Sequence, residues 1–169
     1  LAEYECYLHI MAPHNLFEDE NIDTLKLAKR QKMFAPHLDN YFRRTATRDL
    51  RRNLCLFPTI SHAQFAKMSL EEYEHFVYGA CKLYDDDPIA SWKQVGINQQ
   101  AVVDLLNTKE HIHYLGENVD IKFRTRGRTW INSDGKTNMP SGEVYTSPEE
   151  DLVNGHIHFS YPGIIRAIQ

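Results

Sequence analysis

Residues 135–148 read Gly-Lys-Thr-Asn-Met-Pro-Ser-Gly-Glu-Val-Tyr-Thr-Ser-Pro. Two glycines and two prolines punctuate this stretch, which predicts a turn leading into a short strand that begins at Glu143. A carboxylate that leaves a rigid turn at the start of a strand has a fixed geometry, as binding of a metal ion or a proton requires. A solvated glutamate is the simpler interpretation, and spacing alone favours it.

The pattern on either side of this stretch predicts an α/β fold that changes near Thr108 from alternating strands and helices to mostly strands. Upstream, the apolar runs 7–12 and 53–57 are predicted strands, and they alternate with segments of helical periodicity. Downstream, residues 111–114 and 119–125 alternate as strands do, and Gly116-Glu117-Asn118 is the predicted turn between them. We therefore predict a strand-helix region at 1–108 and a strand-rich region at 109–169.

The helical segments carry their own start signals. Ser69 and Glu72 form a capping box, and Asp87-Pro88 is a typical beginning for the next helix. The apolar side of this second helix is predicted to contain Ile89, Trp92, Val95, Val102, Leu105 and Leu106. Pro36 is expected to interrupt or kink an earlier helix. Short strands are also predicted at 144–146 and 156–161.

Composition excludes several classes of protein. The 169 residues carry a formal net charge of −4, which argues against nucleic-acid binding because that requires a basic face. No apolar run is long enough to span a membrane. The three cysteines are far apart and outside metal-type pairs, and no secretory leader is visible. These features predict a protein of the reducing cytoplasm.

Two histidine pairs are candidate metal ligands. His156 and His158 would share one face of a strand, and His111 and His113 repeat the spacing. With nine histidines in the chain, chance pairs are expected. Partly exposed strand histidines are the favoured interpretation, since no acidic residue or cysteine lies at ligand spacing in the sequence. A third ligand set, joining Glu143 to His156 and His158, stays open as an alternative.

Arginines and aspartates supply the remaining candidates. Arg124, Arg126 and Arg128 alternate along a predicted strand and would clamp a carboxylate or phosphate, although a solvated basic edge is favoured. The run 85–87 contains three aspartates, but it lacks the glycine and distant glutamate of a calcium loop. Capping of a helix by Asp87 accounts for it better.

Taken together, the motifs resemble a known family. Gly127-Arg128-Thr129-Trp130, Asp134-Gly135-Lys136 and the run 138–148 are similar to the beginning of the catalytic domain of the thermophilic-type metallo-aminopeptidases, the group of aminopeptidases T, S and PepS. Pro58-Thr59 and Asp87-Pro88 followed by Trp92 resemble that family's N-terminal region. The resemblance spans nearly the whole chain, and its specific part is Asn-Met-Pro-Ser-Gly-Glu-Val.

The resemblance implies the end of an N-terminal α/β domain at 1–108 and the incomplete first part of the catalytic domain at 109–169. It implies an enzyme that removes single N-terminal residues from peptides, a homodimer, and two divalent ions (Zn, Co or Mg) that activate a water nucleophile. Glu143 matches the first metal ligand, whereas His156 and His158 match none. The other ligands would lie downstream, no catalytic residue is identified, and the chain alone is expected to be inactive, with exposed apolar surface that favours association.

A non-catalytic interpretation is kept beside this one. An aminopeptidase-like scaffold also serves as a binding or interaction module if it lacks the downstream ligands, because fold does not determine function.

Overall fold

A computed structural model describes residues 3–160. The elements in chain order are β1 (Cys6–Met11), α1 (Thr24–Ala46), β2 (Arg51–Leu56), α2 (Ile60–Phe65), α3 (Leu70–Ala80), α4 (Pro88–Asn107), β3 (His111–Gly116), β4 (Val119–Arg124), β5 (Ile131–Ser133), β6 (Asn138–Met139), β7 (Glu143–Tyr145) and β8 (Val153–Ile157). The mixed α/β class predicted from the sequence is confirmed at this level. Within residues 3–160, no helix combines the length and the apolar character needed to cross a membrane.

The chain divides into two compact units. One comprises the residues up to Gly96 together with Ser133–Gly142, and the other comprises Ile97–Asn132 and the residues from Glu143 onward. The domain boundary near Thr108 that the sequence pattern predicts stays a prediction.

The first unit contains a parallel sheet with strand order β1-β2-β6. Residues Cys6 to Met11 pair in register with Arg51 to Leu56, and the short strand β6 pairs with Leu54 and Cys55. The unit therefore gains its third strand from a segment far along the chain. Asn53 reinforces the joint, since its amide donates to the main-chain oxygen of Gly135 at 3.2 Å.

The helix starts of this unit follow their caps. Ser69 accepts from the amide of Glu72 at 3.2 Å, and the Glu72 carboxylate accepts from the amide of Ser69 at 2.8 Å, which completes the predicted capping box. Asp87 caps α4 through the amide of Ala90 at 3.0 Å. Helix α1, in contrast, continues through Pro36. Proline removes one hydrogen-bond donor and costs about 3 kcal/mol in a helix interior, so the flanking turns of α1 must offset that cost.

The second unit contains an antiparallel sheet with strand order β3-β4-β8 and a two-stranded sheet of β5 and β7. The predicted hairpin is confirmed, with Gly116 opposite Val119. Ile112 and Phe123 lie opposite each other on one face and contribute to a core cluster with Val103 and Trp130. Directly opposite residues share a face of the sheet, so this face is the apolar one.

Two predicted features of this unit need correction. The predicted strand 156–161 in fact begins at Val153, because Val153 pairs with Phe123, and it ends at Ile157; residue 161 lies outside the described residues. The predicted apolar side of α4 is buried only in part: Trp92, Val95 and Leu106 are half-buried, and Leu106 packs against the core cluster. Ile89 and Leu105 are exposed, and Val103 is the buried residue of this helix because it packs with Ile112 and Trp130.

Candidate functional site

The turn predicted before Glu143 is held by side chains that sequence inspection did not single out. The main-chain oxygen of Ser133 accepts from the hydroxyl of Ser141 at 2.9 Å and from the amide of Gly142 at 3.1 Å. The two serine hydroxyls lie 2.8 Å apart. Ser133 also donates to the amide oxygen of Asn138 at 3.1 Å, and Asn138 donates to the main-chain oxygen of Pro140 at 3.2 Å. The turn is therefore cross-linked at both ends.

Burial strengthens this cross-linking. Ser133 is only 2% exposed, yet both of its oxygen atoms have partners, so water does not compete for these hydrogen bonds. The peptide bond between Met139 and Pro140 is cis. Serine and asparagine are expected in a turn, but the pairing of Ser133 with Ser141 has no signature in the sequence.

Glu143 follows this turn as the first residue of β7, where its side chain is exposed. Its main-chain oxygen accepts from the side-chain amide of Gln99 on α4 at 2.7 Å. The backbone of Glu143 is thus anchored by the strand and by α4, while its carboxylate forms no ion pair with any residue between 3 and 160. Gln99 lies far from Glu143 in the sequence, so only the structure assigns it this role.

The alternative set of Glu143, His156 and His158 is contradicted. Strand β8 ends at Ile157, so His158 lies beyond it, and the amide of His158 donates to the main-chain oxygen of Asn118 at 2.8 Å. Across residues 3–160, no three histidine, cysteine, aspartate or glutamate side chains are arranged so that they could hold a metal ion. A dinuclear site needs several ligands for each ion, so the described residues do not fit one by themselves.

Two histidines of the antiparallel sheet lie beside an aspartate rather than beside Glu143. His113 on β3 lies 2.8 Å from a carboxylate oxygen of Asp120 on β4, and His156 on β8 is in register with Asp120 on the other side. The hydrogen bond to His113 lowers the pKa of Asp120, and electrostatic attraction to His113, Lys122 and His156 adds to this effect. Sequence inspection missed Asp120, although the short turn of the hairpin determines the register that brings it there.

The three alternating arginines are neutralised by glutamates. Arg124 makes two hydrogen bonds, of 2.6 and 2.7 Å, to the carboxylate of Glu149. These bonds lower the pKa of Glu149 and raise the pKa of Arg124. Arg126 pairs with Glu110 at 3.1 Å and Arg128 pairs with Glu150 at 2.7 Å.

The prediction that these three arginines share one face of a strand is wrong for Arg126 and Arg128, because β4 ends at Arg124. The glutamates that pair with them lie on both sides in the sequence, between 16 and 25 residues away. An anion clamp at this place would first have to displace the glutamates.

Comparisons with known proteins agree on one family. The sequence profile of the family described as thermophilic metalloprotease (M29) matches residues 1–167. The chain therefore belongs to the M29 family of thermophilic metalloproteases, and the resemblance drawn from the residues around Glu143 is confirmed.

Individual relatives are distant and longer. The chain is 28% identical to aminopeptidase 2 of Geobacillus stearothermophilus over 92% of this chain and 42% of that protein. It is 29% identical to aminopeptidase AmpS of Bacillus subtilis (strain 168) over 60% of this chain and 28% of that protein. The structure of wild-type AmpT from Thermus thermophilus has the same fold, with a TM-score of 0.67 at 20% identity, over 89% of this chain and 40% of that chain. The chain thus spans less than half the length of these relatives.

Proposed function

We propose that this chain is part of a metal-dependent aminopeptidase that removes single N-terminal residues from peptides. The observation that carries the proposal is the match to the M29 family over residues 1–167, which includes the segment around Glu143. The relatives named as aminopeptidases support the reaction class. Zinc, cobalt and magnesium are the ions we propose for the intact enzyme.

Within this proposal, Glu143 is a metal ligand. Its exposed carboxylate and its backbone anchored by Gln99 support that role. Since the residues described do not complete a metal site, the proposal requires further ligands from outside them. No step of the hydrolysis is therefore assigned to side chains of this chain, and we expect the 169-residue chain alone to be inactive.

The role of Glu143 is tested by two measurements on different proteins. In the 169-residue chain, hydrolysis of an amino-acyl amide with added Co²⁺ or Zn²⁺ is expected to equal the rate of metal and buffer alone. In the full gene product that contains this chain, Glu143→Ala is expected to reduce hydrolysis at least about 10- to 100-fold, since a lost metal ligand costs no less than a lost supporting residue.

Glu150→Ala is the matched control, because Glu150 is a 78% exposed glutamate of the same unit. Unchanged hydrolysis in Glu143→Ala would remove Glu143 from the metal site without affecting the reaction class. A full gene product with no peptidase activity at saturating metal would contradict the proposed function and favour a binding module.

We also propose a cytoplasmic homodimer. Free thiols at Cys6, Cys55 and Cys81 suit a reducing compartment. Large apolar side chains are exposed along α1, among them Leu25 and Phe42, and exposed apolar surface of this kind favours association. Static light scattering is expected to report a mass above 19.7 kDa for the chain, and a monomer at every concentration would count against the proposal.

A further inference from the structure

A cavity of about 660 Å³ lies in the first unit where α1 ends and β2 begins. Its lining contains four arginines: Arg43 and Arg44 from the last turn of α1, Arg48 from the connection, and Arg51 at the start of β2. Two acidic residues, Glu5 and Asp49, also line it, so four positive charges face two negative ones. The lining therefore carries an excess of positive charge in a chain whose net charge is −4.

Neutral oxygen atoms orient two of these arginines. Arg43 donates to the side-chain oxygen of Asn40 at 2.8 Å, and Arg44 donates to the main-chain oxygen of Asp49 at 3.2 Å. The carboxylate of Asp49 accepts instead from the hydroxyl of Thr47 at 2.7 Å. Because both acceptors are neutral, these two contacts position the guanidinium groups without cancelling their charge.

Three arginines of this cluster differ from the arginines of the second unit in having no carboxylate partner among the described residues. Within residues 3–160, Arg43, Arg48 and Arg51 form no ion pair with a carboxylate. Each guanidinium carries five N–H donors in a planar fork that matches the oxygen atoms of phosphate and carboxylate groups. Most of the donors of these three residues are therefore available to a ligand.

The backbone that carries the cluster is well anchored. Arg48 has a φ of 64°, in the left-handed region, which turns the chain out of α1. Shortly after it, Leu50 is 2% exposed, and its amide donates to the main-chain oxygen of Arg44 at 3.1 Å. The amide of Arg51 donates to the main-chain oxygen of Glu5 at 2.9 Å. The positions of the arginine backbones are thus determined before any ligand binds, which lowers the cost of binding.

Helix C-termini attract arginine through their exposed carbonyl groups, which accounts for Arg43 and Arg44 in the last turn of α1. Arg48 and Arg51 follow the helix and have no such reason to be there. The excess of positive charge rests on these two residues, and they are the ones to test.

We propose that this cavity binds a small molecule that carries phosphate groups. A guanidinium group can donate two parallel hydrogen bonds to the oxygen atoms of one phosphate, and a phosphate group carries more negative charge than a single carboxylate. The volume exceeds that of one inorganic phosphate and falls within the range of pockets for small ligands. A nucleic-acid strand is disfavoured by the net charge of the chain.

Isothermal titration calorimetry of the 169-residue chain with pyrophosphate, in a low-salt buffer free of other multivalent anions, tests the proposal. Saturable binding is expected for the native chain. Arg48→Gln combined with Arg51→Gln is expected to weaken it about 10- to 100-fold, since the loss of hydrogen bonds between charged groups weakens binding about tenfold or more. Arg126→Gln combined with Arg128→Gln removes the same charge from the second unit and is expected to change the affinity less than about threefold, because these arginines lie outside the cavity lining and already pair with Glu110 and Glu150.

Several outcomes would overturn the proposal. The first is no binding of pyrophosphate, and the second is equal weakening in both double variants, which would indicate non-specific attraction. Tighter binding of citrate would assign the cavity to carboxylates. Tighter binding of a single-stranded oligonucleotide that is lost in the Arg48 and Arg51 variant would assign it to nucleic acid.

A second measurement needs no variant and so does not depend on its folding. Phenylglyoxal modifies accessible arginines, and peptide mapping by mass spectrometry locates the adducts. Pyrophosphate is expected to slow modification of Arg48 and Arg51 but not of Arg30, an exposed arginine outside the cavity lining. Equal modification rates with and without pyrophosphate would contradict the proposal.

Discussion

Replacement of Gly155 by alanine is expected to destabilise the second unit by about 3 kcal/mol or more. Gly155 lies in β8 opposite Ile121, with a φ of 134°. A β-carbon at this position would overlap the main-chain oxygen of Asp120 and would lie 2.6 Å from the Cα atom of Ile121. Both neighbours are backbone atoms of β4, so no side chain can rotate away, and strand β8 must separate from β4.

This magnitude combines two costs. Backbone strain at a conformation that suits only glycine costs about 1–3 kcal/mol, and overpacking costs about 1–3 kcal/mol. Urea unfolding followed by circular dichroism measures the loss, and hydrogen exchange of the β4 and β8 amides is expected to localise it.

Gly127→Ala is the matched control for this substitution. Gly127 also has a positive φ, of 69°, but a β-carbon there would have no atom of the described residues within 4 Å beyond its own chain neighbours. Only the conformational penalty of about 1–2 kcal/mol remains. Equal losses in the two variants would show that the close approach between β8 and β4 does not limit the residue at position 155.

Replacement of Trp130 by alanine is expected to cost about 3–5 kcal/mol, as is usual for a buried aromatic side chain. Trp130 is 5% exposed and packs with Val103 and Ile112, and three partly buried residues contact the same cluster: Leu106, Phe123 and Val144. This cluster is the apolar core of the second unit, so the cavity left by alanine would remove contacts to a helix and to two sheets. Urea unfolding followed by circular dichroism measures the loss without relying on tryptophan fluorescence.

The indole nitrogen gives this prediction a sharper control. Within the described part of the chain, the buried Nε1 of Trp130 has no hydrogen-bond partner, whereas that of Trp92 donates to the main-chain oxygen of Cys81 at 2.9 Å. Trp130→Phe removes an unsatisfied donor, which offsets part of the lost volume, while Trp92→Phe leaves a carbonyl without its partner. We expect Trp130→Phe to lower the free energy of unfolding less than Trp92→Phe does. The reverse order would contradict the conclusion that only the indole nitrogen of Trp92 has a hydrogen-bond partner.

Local signals in the sequence predicted local structure well. The capping box of Ser69 and Glu72, the cap by Asp87 and the hairpin turn before Val119 all depend on atoms a few residues apart, and each is confirmed. The buried side of α4 is predicted only in part, because several faces of this helix carry apolar residues: Leu106 packs against the core, but Leu105 is exposed and Val103 is buried. Which of them is buried depends on β3 and on Trp130, which periodicity within the helix does not reveal.

The candidate site divides in the same way. Glu143 is a candidate because of its sequence context, since the run Asn-Met-Pro-Ser-Gly-Glu-Val is specific to a family, and its role as a metal ligand stays a prediction. Its anchor Gln99 and the cross-link between Ser133 and Ser141 were not found, since each pairs residues that carry no mutual signal in sequence. The partner of His113 was accessible in principle, because the hairpin register follows from its turn.

The amino-acid sequence by itself determined the family of this protein, its α/β class and the points where its helices begin. These properties depend on motifs and on interactions within about one helical turn. Only the tertiary structure decided which arginines form ion pairs with glutamates and which do not. The arginines at 124, 126 and 128 meet glutamates through chain folding, whereas Arg43, Arg48 and Arg51 line a cavity beside the buried Leu50. The physical reason is that charge compensation acts between groups close in space, wherever the chain brings them from.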